Sequence, residues 1–131
     1  DCLIITGGDD SAIRRTTEFK LAKIVMAQYK PIMGVCHGAF MLTDVLGGVV
    51  DREDGHMDTE HTVQYGNQQI LVNSHHTQSI KYLHKGATCL TIDSVCNCES
   101  WIDGMLAGVV WHPERMETPW LPVEISNLLK I

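Results

Sequence analysis

The sequence lacks a surplus of basic charge: 10 Lys and Arg stand against 16 Asp and Glu, a formal net charge of −6 over 131 residues. The basic residues are scattered, so no electrostatic footprint for a nucleic acid exists and none is expected as a partner. No apolar run approaches the about 20 residues that a membrane-crossing helix needs. The opening Asp1-Cys2-Leu3 also lacks the basic start of a secretory signal. The expectation is a soluble, cytoplasmic chain with no membrane partner. Cysteines are few and odd in number: Cys2, Cys36, Cys89, Cys96 and Cys98 cannot all pair internally, so free thiols are expected. Metal-ligand spacing is missing as well. Cys96-Asn97-Cys98 leaves a one-residue gap where zinc sites use two to four, and the adjacent His75 and His76 would face opposite ways on a strand. No phosphate-binding loop or nucleotide fingerprint occurs, so the sequence asks for no cofactor and no metal. Repeats, low-complexity tracts and linkers are absent too, which leaves one domain over residues 1–131, large enough to bury a core without staples.

What is present alternates between two periodicities. Leu3-Ile4-Ile5-Thr6 reads as a buried strand ending at Gly7-Gly8. Past the polar Asp9-Asp10-Ser11, residues 12–29 carry Phe19, Leu21, Ile24, Val25 and Ala27 near helical spacing, up to Pro31. Ile32-Met33-Gly34-Val35 is a second buried strand, and a second helix follows Cys36-His37-Gly38 and closes at Gly47-Gly48. Strand, helix, strand, helix predicts an α/β sheet with parallel strands. The acidic, His-bearing stretch from Val49 to Gln69 reads as a surface loop, with a short strand starting near Thr62. Ile70 to Val72 and Thr88 to Ile92 read as strands, Trp101 to Met105 as a hairpin turn, Leu106 to Trp111 as the last buried strand, and Leu121 to Leu129 as a closing helix.

Chemistry concentrates at three points. Gly34-Val35-Cys36-His37-Gly38 puts a nucleophile between a strand and a helix with glycine on both sides, the mechanical requirement of a nucleophile elbow. At a helix N-terminus the thiol of Cys36 would feel the positive end of the dipole, which favours thiolate. Val109-Val110-Trp111-His112-Pro113-Glu114 delivers a base and a carboxylate at the C-terminal end of a strand, the edge where open α/β sheets place their sites. His112 would take the thiol proton and return it to a leaving amine, and Glu114 would orient the imidazole. The third point is Gly7-Gly8. A tetrahedral oxyanion needs converging main-chain N–H donors, one from His37 and one from Gly8. Trp111 belongs to the core.

In this order the segments resemble the class I (triad-type) glutamine amidotransferase superfamily, with its γ-glutamyl hydrolase and γ-glutamyl-amide peptidase branch. The matching stretches are Leu3 to Gly8, Pro31 to Gly38, Val72-Asn73-Ser74-His75-His76-Thr77-Gln78-Ser79-Ile80, and Val109 to Glu114. The resemblance implies a flavodoxin-like three-layer sandwich with a mostly parallel central sheet. It implies a γ-glutamyl thioester on Cys36, with His112 and Glu114 as base and orienter. It also implies a glutamyl pocket that includes Ser74 and His76, with His61 on the substrate side. The substrate would be glutamine or a γ-glutamyl conjugate, cleaved hydrolytically. A glutaminase subunit passing ammonia to a synthase partner is the alternative, and an inactive binding module of the same fold is a further one. Two departures stand out: Phe40 occupies the position four residues past the cysteine where the family carries Gln or Glu, and family domains begin with a further strand and helix ahead of the Gly-Gly loop, so the N-terminal portion is expected to be missing or short.

Overall fold

The computed structural model describes residues 1–9 and 11–131. In chain order the elements are β1 (Leu3–Ile5), α1 (Ala12–Ala27), β2 (Ile32–Val35), α2 (His37–Val45), β3 (Val49–Arg52), β4 (Thr59–Tyr65), β5 (Gln68–Ser74), β6 (Gln78–Tyr82), β7 (Thr88–Ile92), β8 (Cys98–Asp103), β9 (Leu106–Val109) and α3 (Val123–Leu129), with a 3-10 turn at Pro113–Arg115. The strands form one mixed sheet in the order β1-β2-β9-β8-β7-β4-β5, with β6 pairing both β3 and β8. The α/β class stands.

The sheet is not mostly parallel. Among the described residues only β1–β2 and β2–β9 pair in parallel, while β8–β9, β7–β8, β4–β7, β4–β5, β6–β8 and β3–β6 are antiparallel. Connection length explains this. Parallel neighbours need a crossover of a dozen or more residues, which α1 supplies between β1 and β2, whereas the strands after Gly48 follow one another through short turns. Residues 49–69 are accordingly two strands and not a loop. β3 and most of β4 are exposed, so their sequence looks like loop, and β4 turns into β5 at Gly66-Asn67, where Gly66 takes φ 56°. The closing helix begins at Val123, after Pro122.

Helix α2 is the core of the molecule, with every residue from His37 to Thr43 buried. It lies against β2, β9 and β1. Two glycines permit that closeness. A Cβ on Gly34 would strike the Gly38–Ala39 backbone, and one on Gly38 would strike the Ile5 carbonyl. The glycines flanking Cys36 therefore let β1, β2 and α2 meet. Trp101 of β8 is fully buried beneath α2 and donates its indole N–H to Thr43 Oγ1 at 3.1 Å. Trp111, also fully buried, stacks on Trp120 at 5.7 Å, which places it in the core as expected. Helix α1 is held more loosely: Ser11 caps it through Arg14 N, and Ala22 is its buried residue, with Leu21 and Ile24 exposed. No described helix is long and apolar enough to cross a membrane.

Candidate active site

The parallel strands β1, β2 and β9 bring three C-terminal ends to one edge of the sheet. They lead into Gly7-Gly8, Cys36 and His112 respectively. A cavity of about 310 Å³ opens there, with Gly8, Cys36, His37, His76, His112 and Arg115 in its wall. Cys36 is the elbow the sequence predicts. Its backbone sits at φ 51°, ψ −106°, a strained conformation for a residue with a Cβ, and its N–H donates to Val109 O at 2.8 Å. That bond joins the nucleophile position to the strand that carries the base.

His112 is 3% exposed. Its Nδ1 lies 3.1 and 3.2 Å from the two Glu114 oxygens, so the ring donates from Nδ1 and presents Nε2 as an acceptor. A Cβ built on Gly7 would overlap the His112 ring at Cε1, and would stand 3.2 Å from Nε2 and 3.4 Å from Cys36 Cβ. Base and nucleophile thus converge on the same point above Gly7. Burial lowers the His112 pKa below its ordinary value, with Glu114 opposing, so the imidazole is neutral at neutral pH.

The thiol does not follow the helix-dipole expectation. Burial pushes Cys36 up to about 11, opposed in part by a hydrogen bond from the His37 main-chain N–H and by the Arg115 charge, and reinforced by Glu114. At 7% exposure the loss of solvation outweighs the dipole. The resting group is a thiol, which donates to the His75 carbonyl across 4.0 Å.

Gly8 takes φ 131° and faces the cavity, and the His37 N–H faces the sulfur, which is the arrangement expected of the two oxyanion donors. Sequence reasoning missed what holds them. Arg14 on α1 donates to Thr6 O at 2.7 Å, Gly7 O at 3.2 Å and Asp9 O at 3.2 Å, pinning the Gly7-Gly8 loop. Glu18, one turn on, accepts from Arg14 Nε at 2.6 Å and pairs with His37 Nε2 at 3.0 Å. The i, i+4 spacing of Arg14 and Glu18 was the available signal. Asn73 was missed as a clamp: its amide accepts from His112 N and donates to His112 O, both at 2.8 Å.

The substrate-side residues separate. His76 lines the cavity, its ring edge-on to Phe40 at 5.5 Å. Ser74 is fully buried and donates to His56 O at 2.6 Å, behind that wall. His61 lies on a neighbouring cavity with Glu60 and Asp93, and its Nε2 meets Glu99 Oε1 at 2.7 Å. The structure therefore brings Cys36, His112, Glu114, Gly8, His37 and His76 together, and places Ser74 and His61 outside that cavity.

The family model of glutamine amidotransferase class-I matches residues 1–130. The chain belongs to the class-I glutamine amidotransferase family. Relatives of this family member include a γ-glutamyl-CDP-amidate hydrolase of Campylobacter jejuni, 24% identical over 86% of this chain and 62% of its own length. They also include the glutamine-hydrolyzing component of a GMP synthase from Halobacterium salinarum, 27% identical over all of this chain and 75% of its own. A third relative, from Schizosaccharomyces pombe, is 30% identical over 79% of this chain, which spans 51% of it. The chain thus covers about half to three quarters of these relatives. Among solved structures, a glutamine amidotransferase from Thermotoga maritima superposes with a TM-score of 0.74 at 21% identity, over 85% of this chain and 56% of that one. The fold is that of the class-I amidotransferases.

Proposed function

We propose that this class-I amidotransferase domain is a cysteine hydrolase of γ-glutamyl amide bonds. The observation that carries it is the convergence of Cys36, on its strained elbow, with the Glu114-oriented His112 above Gly7. With a protonated thiol and a neutral imidazole at rest, His112 Nε2 takes the Cys36 proton as the sulfur attacks the γ-carbonyl. The carbonyl oxygen gains charge facing the N–H groups of His37 and Gly8. His112 returns the proton to the departing amine, leaving a γ-glutamyl thioester, which water then hydrolyses to glutamate with His112 again as base. Glu114 holds the imidazole and stabilises its cation.

The same chemistry serves a stand-alone γ-glutamyl hydrolase or a glutaminase that hands ammonia to a synthase partner. The γ-glutamyl-amidate hydrolase relative and Phe40, which replaces a polar residue in the wall, favour the first. The GMP synthase relative favours the second. Five free thiols fit a reducing cytoplasm, and β1, β2 and β9 with their helices fit the parallel half of a flavodoxin-like layered domain. A thiol-reactive glutamine analogue tests the nucleophile: stoichiometric labelling of Cys36 is expected, and no labelling of folded protein would overturn catalysis. Assay of glutamine against γ-glutamyl amines separates the branches. Glutamine turnover appearing only with a synthase present would favour the ammonia-delivering reading over the stand-alone one.

A further inference from the structure

Behind the cavity wall lies a cluster that the proposed chemistry does not use. Three imidazoles pack face and edge: His56 stacks on His76 with ring centres 4.8 Å apart, and meets His61 edge-on at 5.4 Å. Two buried carboxylates border them, Glu99 at 1% and Asp93 at 6% exposure. Each ring has one nitrogen committed to an oxygen acceptor. His76 Nδ1 faces Gln78 O at 2.5 Å, His56 Nε2 faces Glu53 Oε2 at 3.1 Å, and His61 Nε2 faces Glu99 Oε1 at 2.7 Å.

A carbonyl or an ionised carboxylate can only accept, so these nitrogens carry the protons and the opposite nitrogens carry lone pairs. Those lone pairs find no proton donor among the described residues. His56 Nδ1 and His61 Nδ1 are buried without a hydrogen-bond partner. His76 Nε2 has only the Ser74 hydroxyl at 3.2 Å, and that hydroxyl spends its single proton on His56 O at 2.6 Å. Imidazoles that donate from one nitrogen to an oxygen and aim a bare second nitrogen inward are what metal sites require, the donated bond fixing the tautomer. One ligand atom each from His56, His76 and Glu99 lies within 4.8 Å of the others. A tetrahedral zinc site holds its donors at about 2.0–2.2 Å from the ion, so binding would draw these three inward by roughly 1 Å or less.

We propose that His56, His76 and Glu99 form a binding site for one divalent transition cation of the zinc type, separate from Cys36. Two imidazoles and a carboxylate are a borderline donor set that suits zinc over calcium or magnesium. Burial holds His76 down to about 4, which keeps its nitrogen unprotonated at neutral pH and agrees with the geometry. The three donors come from the β3–β4 loop, the β5–β6 loop and β8, far apart in sequence but joined in the structure. An ion there would tie the loop at residues 53–58 to the sheet and fix the back of the His76 ring, whose other side meets Phe40. The ion is a brace for the cavity wall and takes no part in the sulfur chemistry.

The test uses the full chain, stripped with chelator and titrated with Zn²⁺ alone by calorimetry, then with Co²⁺ as a spectroscopic probe. Expected are one equivalent bound, the visible absorption of tetrahedral Co²⁺ without a near-ultraviolet thiolate band, and a higher Tm with Zn²⁺. Binding should survive Cys36→Ser and weaken at least 100-fold in His56→Ala, whose metal-free fold is checked by circular dichroism. Glu99→Gln, with nearly the same shape, replaces His56→Ala if that variant does not fold. No binding, or binding that is lost in Cys36→Ser and kept in His56→Ala or Glu99→Gln, would overturn the site.

Discussion

The side-chain amide of Asn73 and the main chain of His112 exchange two hydrogen bonds of 2.8 Å, so a residue on β5 fixes the position of the proposed base beyond β9. Both bonds are partly buried, so truncating the amide strands two main-chain groups away from free solvent. Asn73→Ala should cost about 1–3 kcal/mol of stability, the range for stranding buried polar groups. It should also lower kcat by roughly 10–100-fold, since a small displacement of a catalytic group is enough for that. Steady-state kinetics and thermal melts of the variant measure both, and an unchanged kcat would show that His112 is placed without the clamp.

Gly7 leaves room for the His112 ring. Any Cβ there overlaps Cε1, and the contact is with a ring held by Glu114 rather than with a flexible chain end. Gly7→Ala is therefore expected to lower kcat by about 100-fold. A structure of the variant should show the ring swung away from Cys36.

The pH behaviour follows from a thiol pushed up to about 11 and an imidazole held below its ordinary value. His112 must be neutral to act as base, so kcat/KM should rise with pH through a value below about 6.5, then stay level across the neutral range while the thiol remains protonated. Alkylation of Cys36 by iodoacetamide should keep accelerating up to pH 10. Saturation of the alkylation rate near pH 6 would instead mark a preformed thiolate–imidazolium pair.

Glu18 joins the loop-pinning Arg14 to His37, and only the main chain of His37 is asked to donate to the oxyanion. His37→Ala keeps that N–H, so it should lose about tenfold in kcat, as should Glu18→Ala, through the shared tether. Because the two side chains act as one unit, the double variant should be little worse than either single one. Fully additive losses would mean that they act independently.

The local motifs were legible in the sequence because each is carried by neighbouring residues. Cys36 between two glycines and His112 two residues from Glu114 announce a turn and a pair without any knowledge of the sheet. Asn73, Arg14 and Glu18 were not legible as supports, since the residues they hold are distant in the chain. The β3 and β4 strands were hidden by exposure. In β4 only Val63 is fully buried, so Thr59 to Tyr65 reads as polar texture. The direction of the sheet was misread because two strand–helix units at the start suggested a parallel rule that the short turns after Gly48 do not obey. The thiol state was misread because the helix dipole is visible in sequence and burial is not.

The pairing of Val35 with Val109 joins the first third of the chain to its last fifth, whereas β8 and β9 pair across the turn at Gly104. Closing a long loop costs entropy before any contact repays it, so local hairpins form ahead of distant parallel pairs. The antiparallel half can assemble early, and it carries no nucleophile. Cys36 and His112 face each other only once β2 docks on β9, so chemical competence should be the last property the chain acquires as it folds. Pulse-labelling hydrogen exchange during refolding should protect the β8 and β9 amides before that of Cys36, and a reversed order would mean that the parallel strands dock first.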